Sequence, residues 1–375
     1  MNILFLARAL ECGGAERQLA LLAKRLAANG HTVTVLVFYS GGIFYEDVLR
    51  SGVPVLSLNK RGRWDIFGFG VRLLRLVRAR RADVVHSYLT VPNLLTALLK
   101  PLLPPCRVVW GMRASNVEWT QYDWVSRCVD RIERHLARYA DLIIVNSQAG
   151  YAHAGRRGFP REKMIVIPNG VDVDQFRPDR SGGEQLRRRW GVRDDEYLIG
   201  LVGRIDPMKD HATFIRAAAL LAARRSDVRF ICIGDGAALY KQSLMTMAQG
   251  LGLGQRLHWE PSQADMRPVY NALDILSSTS AWGEGFPNVV AEAMACGVRC
   301  VVTNVGDSAV IVNGYGIVAP PGDPASIVEA WMRLMDNRQS VYPAWPQMAR
   351  THIEQQFSTE RMVQRTVSAL QAISQ

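Results

Sequence analysis

The sequence predicts a chain of α/β class, built as two doubly wound domains in succession, and three observations predict it. Short β-branched runs alternate with amphipathic segments along nearly all of the 375 residues. Glycines fall where such a run gives way to the next amphipathic segment. The alternation restarts after a stretch rich in turn formers, "IPNGVDVDQFRPDRSGG", and the length suits two domains that each bury a core.

In the first half the spacing predicts strands at Ile3–Ala7, Thr32–Phe38, Val53–Leu58, Val84–His86, Arg107–Trp110, Leu142–Asn146 and Met164–Ile167. They are continuous apolar runs rather than strict alternations, as strands buried on both faces of a parallel sheet require. Amphipathic helices are expected between them, among them Ala15–Ala28, Gly70–Arg81 and Val117–Tyr139. The second half repeats the plan, with predicted strands at Tyr197–Val202, Val228–Ile233, Arg256–Trp259, Ile275–Ser277 and Arg299–Thr303 and a helix near Asp210–Arg225. The expected domains are 1–170 and 171–357, and a last helix, 358–375, is expected to pack back on the first domain. Two such sheets facing each other would enclose a cleft at the carboxyl ends of their strands, where open α/β folds bind ligands.

Composition narrows the classes. Hydrophobic residues make up 48% and charged residues 21%, which excludes a disordered chain. The start, "MNILFLARALECGGAE", lacks a basic region before its apolar run, and no later run is long enough to span a bilayer, so the chain reads as cytoplasmic. Six scattered cysteines without a C-x-x-C pair, and histidines without an H-E-x-x-H spacing, favour neither a disulfide framework nor a metal site. A net charge of +11 favours anionic partners without choosing among nucleic acid, lipid and phosphorylated small molecules.

Gly13 and Gly14 precede the first helix, and Gly203 follows the first strand of the second half, with Arg204 and Lys209 close behind. A glycine turn feeding a helix N-terminus favours phosphate, although neither stretch matches G-x-G-x-x-G or G-x-x-x-x-G-K-[ST], and each also reads as a plain tight turn. "GDGAAL" at Gly234–Leu239 has only the first two glycines of a dinucleotide fingerprint. In "GEGFPNVVAEAMACG", Pro287 suits the first turn of a helix, leaving Glu284 in the preceding loop and Glu292 in the second turn, so both carboxylates reach one ligand. The N–H groups around Gly285, Phe286, Asn288 and Val289 would lie between them and meet a phosphate, while the carboxylates accept from hydroxyls. A nucleoside diphosphate sugar has that layout. On spacing alone, Glu284 reads equally as a loop carboxylate and Glu292 as a solvated helix residue.

Gly203-Arg204 with Lys209, the Glu-x7-Glu of Glu284 and Glu292, "PNGVD" at Pro168–Asp172 and "GGAER" at Gly13–Arg17 together resemble the glycosyltransferases of family 4, with the GT-B fold. The resemblance spans nearly the whole chain, more closely in the second half than in the first. It implies a retaining transferase that moves a sugar from a UDP- or GDP-sugar donor to a carbohydrate or lipid-linked acceptor in bacterial surface polysaccharide or lipopolysaccharide biosynthesis, with no cofactor and no metal. It implies catalytic roles for Arg204, Lys209 and Glu284, the two cations on the diphosphate and Glu284 on the sugar. Donor-binding roles fall to Gly14, Gly203, Gly285, Phe286, Pro287, Asn288, Val289 and Glu292, with Glu292 on the ribose. Many members carry a histidine after the strand matching Val108–Gly111, where this chain reads "VVWGMRASN", so His86 and Arg113 are the candidates on the acceptor side.

Asp172-Val173-Asp174 imitates a metal-binding D-x-D but sits in a turn, where Asp is common. The run "RLLRLVRARRAD" places Arg72, Arg75 and Arg78 on adjoining helical turns beside apolar stretches, which suits either a solvated face or peripheral contact with anionic lipid on the inner membrane. Two other readings stand beside the transferase: a nucleotide-sugar epimerase of the same fold, and a basic nucleic-acid-binding protein. The second lacks the aromatics interleaved with basic residues that a stacking platform needs, so nucleic acid is not an expected partner.

Overall fold

The computed structural model describes residues 1–11, 13–62, 65–113, 124–336 and 345–374. Cys12 and the part of the predicted helix Val117–Tyr139 that precedes Trp124 lie outside the described residues. Two compact units divide the chain, Met1–Gly170 with Thr359–Gln375, and Val171–Ser358.

The first unit holds β1 (Asn2–Ala7), β2 (Thr32–Val37), β3 (Val55–Ser57), β4 (Val84–Tyr88), β5 (Arg107–Met112), β6 (Leu142–Val145) and β7 (Met164–Val166). They form one parallel sheet in the order β3-β2-β1-β4-β5-β6-β7. The second unit holds β8 (Tyr197–Val202), β9 (Val228–Ile233), β10 (Leu257–Glu260), β11 (Ile275–Ser278), β12 (Arg299–Thr303) and β13 (Ile317–Ala319), parallel in the order β10-β9-β8-β11-β12-β13. Each sheet reverses its winding once, between β1 and β4 in the first and between β8 and β11 in the second. Loops leaving the strands on either side of such a point diverge and open a crevice.

Why the strands read as unbroken apolar runs is visible in the packing. Ile3, Phe5 and Ala7 of β1 enter one core with the helices Gly14–Ala28 and Thr359–Ser374, while Leu4 and Leu6 enter another with Phe38, Phe69 and Leu73. In the same way Leu198 and Val202 of β8 face one core and Ile199 and Leu201 the other. Both faces are dry, so period-2 alternation has no polar side to show. Met362, Val363 and Leu370 anchor the last helix in the first unit, each burial contributing about 1.5–3 kcal/mol.

Three departures from the sequence expectation have local causes. β4 and β5 each run two residues further, to Tyr88 and Met112, because Tyr88 pairs with Gly111, whose missing side chain leaves room for the rings of Tyr88 and His86. The helix expected from Gly70 begins at Ile66, the glycines at 68 and 70 having hidden its first turn. β13 was not predicted: it is three residues long, sits at a sheet edge and is followed by two prolines.

The five described cysteines are free thiols. Burial pushes the Cys296 thiol up to about 12, so it packs as an inert small hydrophobe. Among the described residues no helix is long and apolar enough to cross a membrane.

The end of the first unit is fastened by one side chain. Gln18, buried on the helix Gly14–Ala28, donates from Nε2 to the Gly170 carbonyl at 3.0 Å and accepts the Gly170 N–H on Oε1 at 2.9 Å. Removing the amide leaves both buried backbone groups without these partners, so Gln18→Ala is expected to lower unfolding free energy by about 1–3 kcal/mol in urea titrations. A second measurement follows from His211, the first residue of the helix His211–Arg224. It is fully buried with no hydrogen-bond partner for either ring nitrogen. Burial, and then the charge of Lys209, push its pKa from 6.5 down to about 4. The folded state therefore binds fewer protons than the unfolded chain between those values, and stability is lost as pH falls from 6.5 towards 4. Wild type should lose about 3 kcal/mol relative to His211→Leu over that window.

Candidate functional site

The second unit places most of the predicted site at its switch point. β8 leads into Gly203, Arg204 and a short 3-10 turn, Pro207–Lys209, while β11 leads into the loop that carries Glu284. Gly203 and Gly234 let the loops after β8 and β9 touch, since a Cβ on Gly234 would collide with the Gly203 carbonyl. The N–H of Ile205 donates to the Asp235 carbonyl at 2.9 Å. "GDGAAL" is thus a packing device for the Gly203 loop.

Lys209 Nζ forms an ion pair with Glu284 Oε1, both side chains largely withdrawn from solvent at 16% and 8% exposure. Around the pair a set of hydroxyls fixes position. Ser280 Oγ donates to Glu284 Oε1 at 2.6 Å, and Thr303 Oγ1 donates to the Ser280 carbonyl at 2.6 Å. Thr279 Oγ1 lies within hydrogen-bond distance of the carbonyls of Lys209 and Asp210, at 3.0 and 3.1 Å. The Asp307 N–H donates to the Gly285 carbonyl at 2.9 Å, and Gly306, at φ +60°, fits where a Cβ would strike the carbonyls of Glu284 and Gly285.

Pro287 caps the helix Asn288–Ala295, and Phe286 is buried with its ring edge-on to Phe357, centroids 5.3 Å apart. Glu292 lies in the second turn, as its spacing predicts, but it is only 2% exposed, which excludes the solvated reading. Tyr270, fully buried, donates its hydroxyl to Glu292 Oε2 at 2.7 Å. A carboxylate kept this far from water is stable only with donors in place. Arg204 stands apart from this cluster: it is 69% exposed and lies 3.2 Å from Asp206. Lys209 and Glu284 are therefore brought into contact, Glu292 is anchored separately, and Gly285, Asn288 and Val289 occupy the segment between the two glutamates.

The first unit treats its candidates differently. Gly14 opens the helix Gly14–Ala28, but the carboxylate of Glu16 folds back against Gly13, so the negative group at this N-terminus is the chain's own. His86 is a correction to the expected acceptor side: it is 0% exposed, and its ring is taken up by packing inside the first unit. It packs between the rings of Phe5 and Tyr88, centroids 5.3 and 4.8 Å away, with no partner for either nitrogen. Burial and then the charge of Arg113 hold its pKa well below the ordinary value, so it is neutral. Arg113, half-buried after β5, donates to Tyr88 Oη at 2.6 Å and Asn169 Oδ1 at 2.9 Å and lies over the Tyr88 ring. Of the D-x-D, Asp172 is taken up locally, accepting from the Gln175 backbone and side chain at 3.1 and 3.0 Å.

Tyr270, Thr279, Ser280, Tyr88 and Asn169 were not found from sequence. The signals for them are the hydroxyl run "SSTS" at Ser277–Ser280, at the end of a strand, and, for Asn169, its place in "PNGVD".

Comparison with known proteins identifies the family and the fold. Residues 12–175 match the family described as Glycosyltransferase Family 4, and residues 196–337 match Glycosyl transferases group 1. An Escherichia coli protein, UDP-Gal:alpha-D-GlcNAc-diphosphoundecaprenol alpha-1,3-galactosyltransferase, is 25% identical over 79% of this chain and 77% of its own. A D-inositol 3-phosphate glycosyltransferase of Thermomonospora curvata is 32% identical over 54% of this chain and 51% of its own. In structure, Anabaena Alr3699/HepE, solved in complex with UDP, superposes with a TM-score of 0.88 at 23% identity over 99% of this chain and all of that one. WaaG, a glycosyltransferase involved in lipopolysaccharide biosynthesis, superposes at 0.72 with 17% identity and 99% coverage of both chains. With both halves matched and the fold shared, the chain belongs to the family 4 glycosyltransferases and has the GT-B fold.

Proposed function

We propose that this glycosyltransferase takes its sugar from a nucleoside diphosphate sugar, retains anomeric configuration, and delivers to a carbohydrate or lipid-linked acceptor in surface polysaccharide or lipopolysaccharide assembly. The observation that carries the reading is the Lys209–Glu284 ion pair at the switch point of the second unit, with the buried Glu292 anchored beyond it. Lys209 has three N–H donors and spends one on Glu284, which leaves the ammonium able to meet a departing diphosphate while it stays in place. Arg204, exposed on a loop, supplies a second cation. The helix starting at Asn288 adds the positive end of its dipole. Glu284 receives hydroxyls of the transferred sugar, and Glu292 those of the ribose. The UDP complex of HepE and the UDP-Gal donor in the name of the Escherichia coli relative support a uridine donor for this chain.

Two cations and a helix terminus stabilise charge on the leaving group, the work a divalent metal does elsewhere, so no metal is needed. Lys209→Ala is expected to lower kcat about 100- to 1,000-fold, while EDTA leaves wild-type turnover unchanged. Turnover of Lys209→Ala within a few-fold of wild type, or loss of activity in EDTA, would contradict the reading. Tyr270→Phe withdraws a donor from Glu292 and should raise the donor KM about tenfold with little change in kcat. Isomerised sugar nucleotide in a reaction without acceptor would point to an epimerase instead.

Contact with anionic membrane is a second proposal, favoured by the surface of the first unit. Arg72 is withdrawn from it, being paired with Asp65 and donating to the Leu58 carbonyl. Arg75, Arg78, Arg80 and Arg81 remain exposed, and Arg78 donates to the carbonyl of Leu102, itself 54% exposed beside Leu98 at 60%. Exposed cations on one helix and exposed leucines on the neighbouring segment, linked by Arg78 and Leu102, suit a lipid surface. The protein should co-sediment with phosphatidylglycerol vesicles at low salt and be released at high salt; failure to sediment at low salt contradicts the proposal.

A further inference from the structure

We propose that Arg113 is the receptor for a phosphate group, and that this phosphate is carried by the acceptor. The inference deepens the glycosyltransferase reading and rests on it for the word acceptor, but the phosphate site stands on its own geometry.

Arg113 follows β5 on the carboxyl side of the first sheet, one strand from the switch point between β1 and β4, so its position is of the kind at which open α/β sheets receive ligands. Its two hydrogen-bond partners are the Tyr88 hydroxyl and the Asn169 side-chain oxygen, and its guanidinium stacks 4.6 Å from the centre of the Tyr88 ring. Every one of these partners is neutral. Burial raises the Tyr88 pKa, which keeps the phenol protonated, and His86 behind it is neutral as well. Among the described residues no carboxylate lies within ion-pair distance of Arg113, and its Nε–H is buried with no acceptor. Half-buried guanidinia elsewhere are compensated by acidic side chains, as Arg157 is by Asp130 and Glu133 and Arg187 by Asp274, or by several carbonyls, as Arg256 is by those of Ala222 and Arg225. Arg113 instead has neutral partners and, among the described residues, no counter-charge.

Construction of the cradle shows that it is specific. Gly111 gives it room, since a Cβ there would stand 3.2 Å from the Ser87 carbonyl oxygen, 3.3 Å from Tyr88 Cδ2 and 3.4 Å from His86 Nε2. Leu89, next to Tyr88, holds a left-handed φ of 71°, which a leucine adopts only under constraint from its surroundings. Two hydrogen bonds and a stacked ring fix the plane of the guanidinium, and a fixed fork recognises the paired oxygens of a phosphate better than a mobile ammonium does. The donor diphosphate already has Arg204, Lys209 and a helix terminus in the second unit, which leaves the cation of the first unit to the other substrate.

The test is calorimetric titration of the full chain with two probes, glycerol 3-phosphate, which has a phosphate and no nucleoside, and UDP. Wild type, Arg113→Met, Tyr88→Phe and Lys209→Met are compared. Glycerol 3-phosphate is expected to bind wild type and Lys209→Met alike, to bind Arg113→Met about tenfold or more weakly, and to bind Tyr88→Phe a few-fold more weakly because the fork is less firmly held. UDP should show the converse, weakened by Lys209→Met and indifferent to Arg113→Met. Equal binding of glycerol 3-phosphate to wild type and Arg113→Met, or no binding to wild type, overturns the site. A loss of UDP affinity in Arg113→Met that matches Lys209→Met assigns the phosphate to the donor and overturns the acceptor claim. Where Arg113→Met does not fold, an unchanged affinity in Tyr88→Phe overturns the proposal. Failure of UDP to bind wild type while glycerol 3-phosphate binds as expected would count against the donor reading and leave the Arg113 site standing.

Discussion

The second unit is arranged around one ion pair, Lys209 with Glu284. Two charges this far out of water cost more in desolvation than an isolated pair returns, so the pair needs further donors and a firm frame. The frame is visible atom by atom. Ser280 donates to the same carboxylate oxygen, Thr303 holds the Ser280 carbonyl, and Thr279 ties the backbone of Lys209 to the strand end from which Glu284 departs. Two loops that diverge from the switch point are thereby bound to each other across it. A pair of apolar side chains would hold the loops together at least as well, and this is why the proposed function gives both charges to a ligand.

Carboxyl edges of both sheets follow one rule with opposite outcomes. In the second unit the cation at the switch point has an acid beside it; in the first, Arg113 has among the described residues a phenol, an amide and an aromatic face. The neutral His86 is part of this balance, because a buried imidazole that stays unprotonated adds no second charge next to the guanidinium. The two units therefore carry different electrostatic surroundings at the carboxyl edges of their own sheets: an ion pair in one and, among the described residues, a guanidinium with neutral partners in the other.

Much of this was legible in the sequence, and the unread part has a physical pattern. Unbroken apolar runs disclosed strands buried on two faces, and the order of Gly203, Arg204, Lys209, Glu284 and Glu292 pointed to the candidate site, of which the structure brings Lys209 and Glu284 into contact. Tyr270 and Asn169 could not be read in that way: Tyr270 meets Glu292 across two helices, and Asn169 meets Arg113 across 56 positions of sequence. Such partners are chosen by the fold: no local pattern marks Tyr270, and "PNGVD" contains Asn169 without marking its contact with Arg113. His86 misled for the same reason. Its place at a predicted strand end pointed to an exposed edge, whereas β4 continues to Tyr88 and Gly111 makes the room that buries the ring. Gly70, read as the start of a helix, and β13, too short to stand out, mark the limits of pattern at element ends.

The account depends most directly on the two glutamates serving one nucleotide ligand. Calorimetric titration of the protein with UDP, GDP and ADP in the presence of EDTA, repeated on Glu292→Ala, measures that. The account predicts that one nucleoside diphosphate binds without metal and that the substitution weakens it by about tenfold or more. If none of the three binds, or if Glu292→Ala binds as wild type does, the buried Glu292–Tyr270 pair is a structural strut and the donor site lies elsewhere.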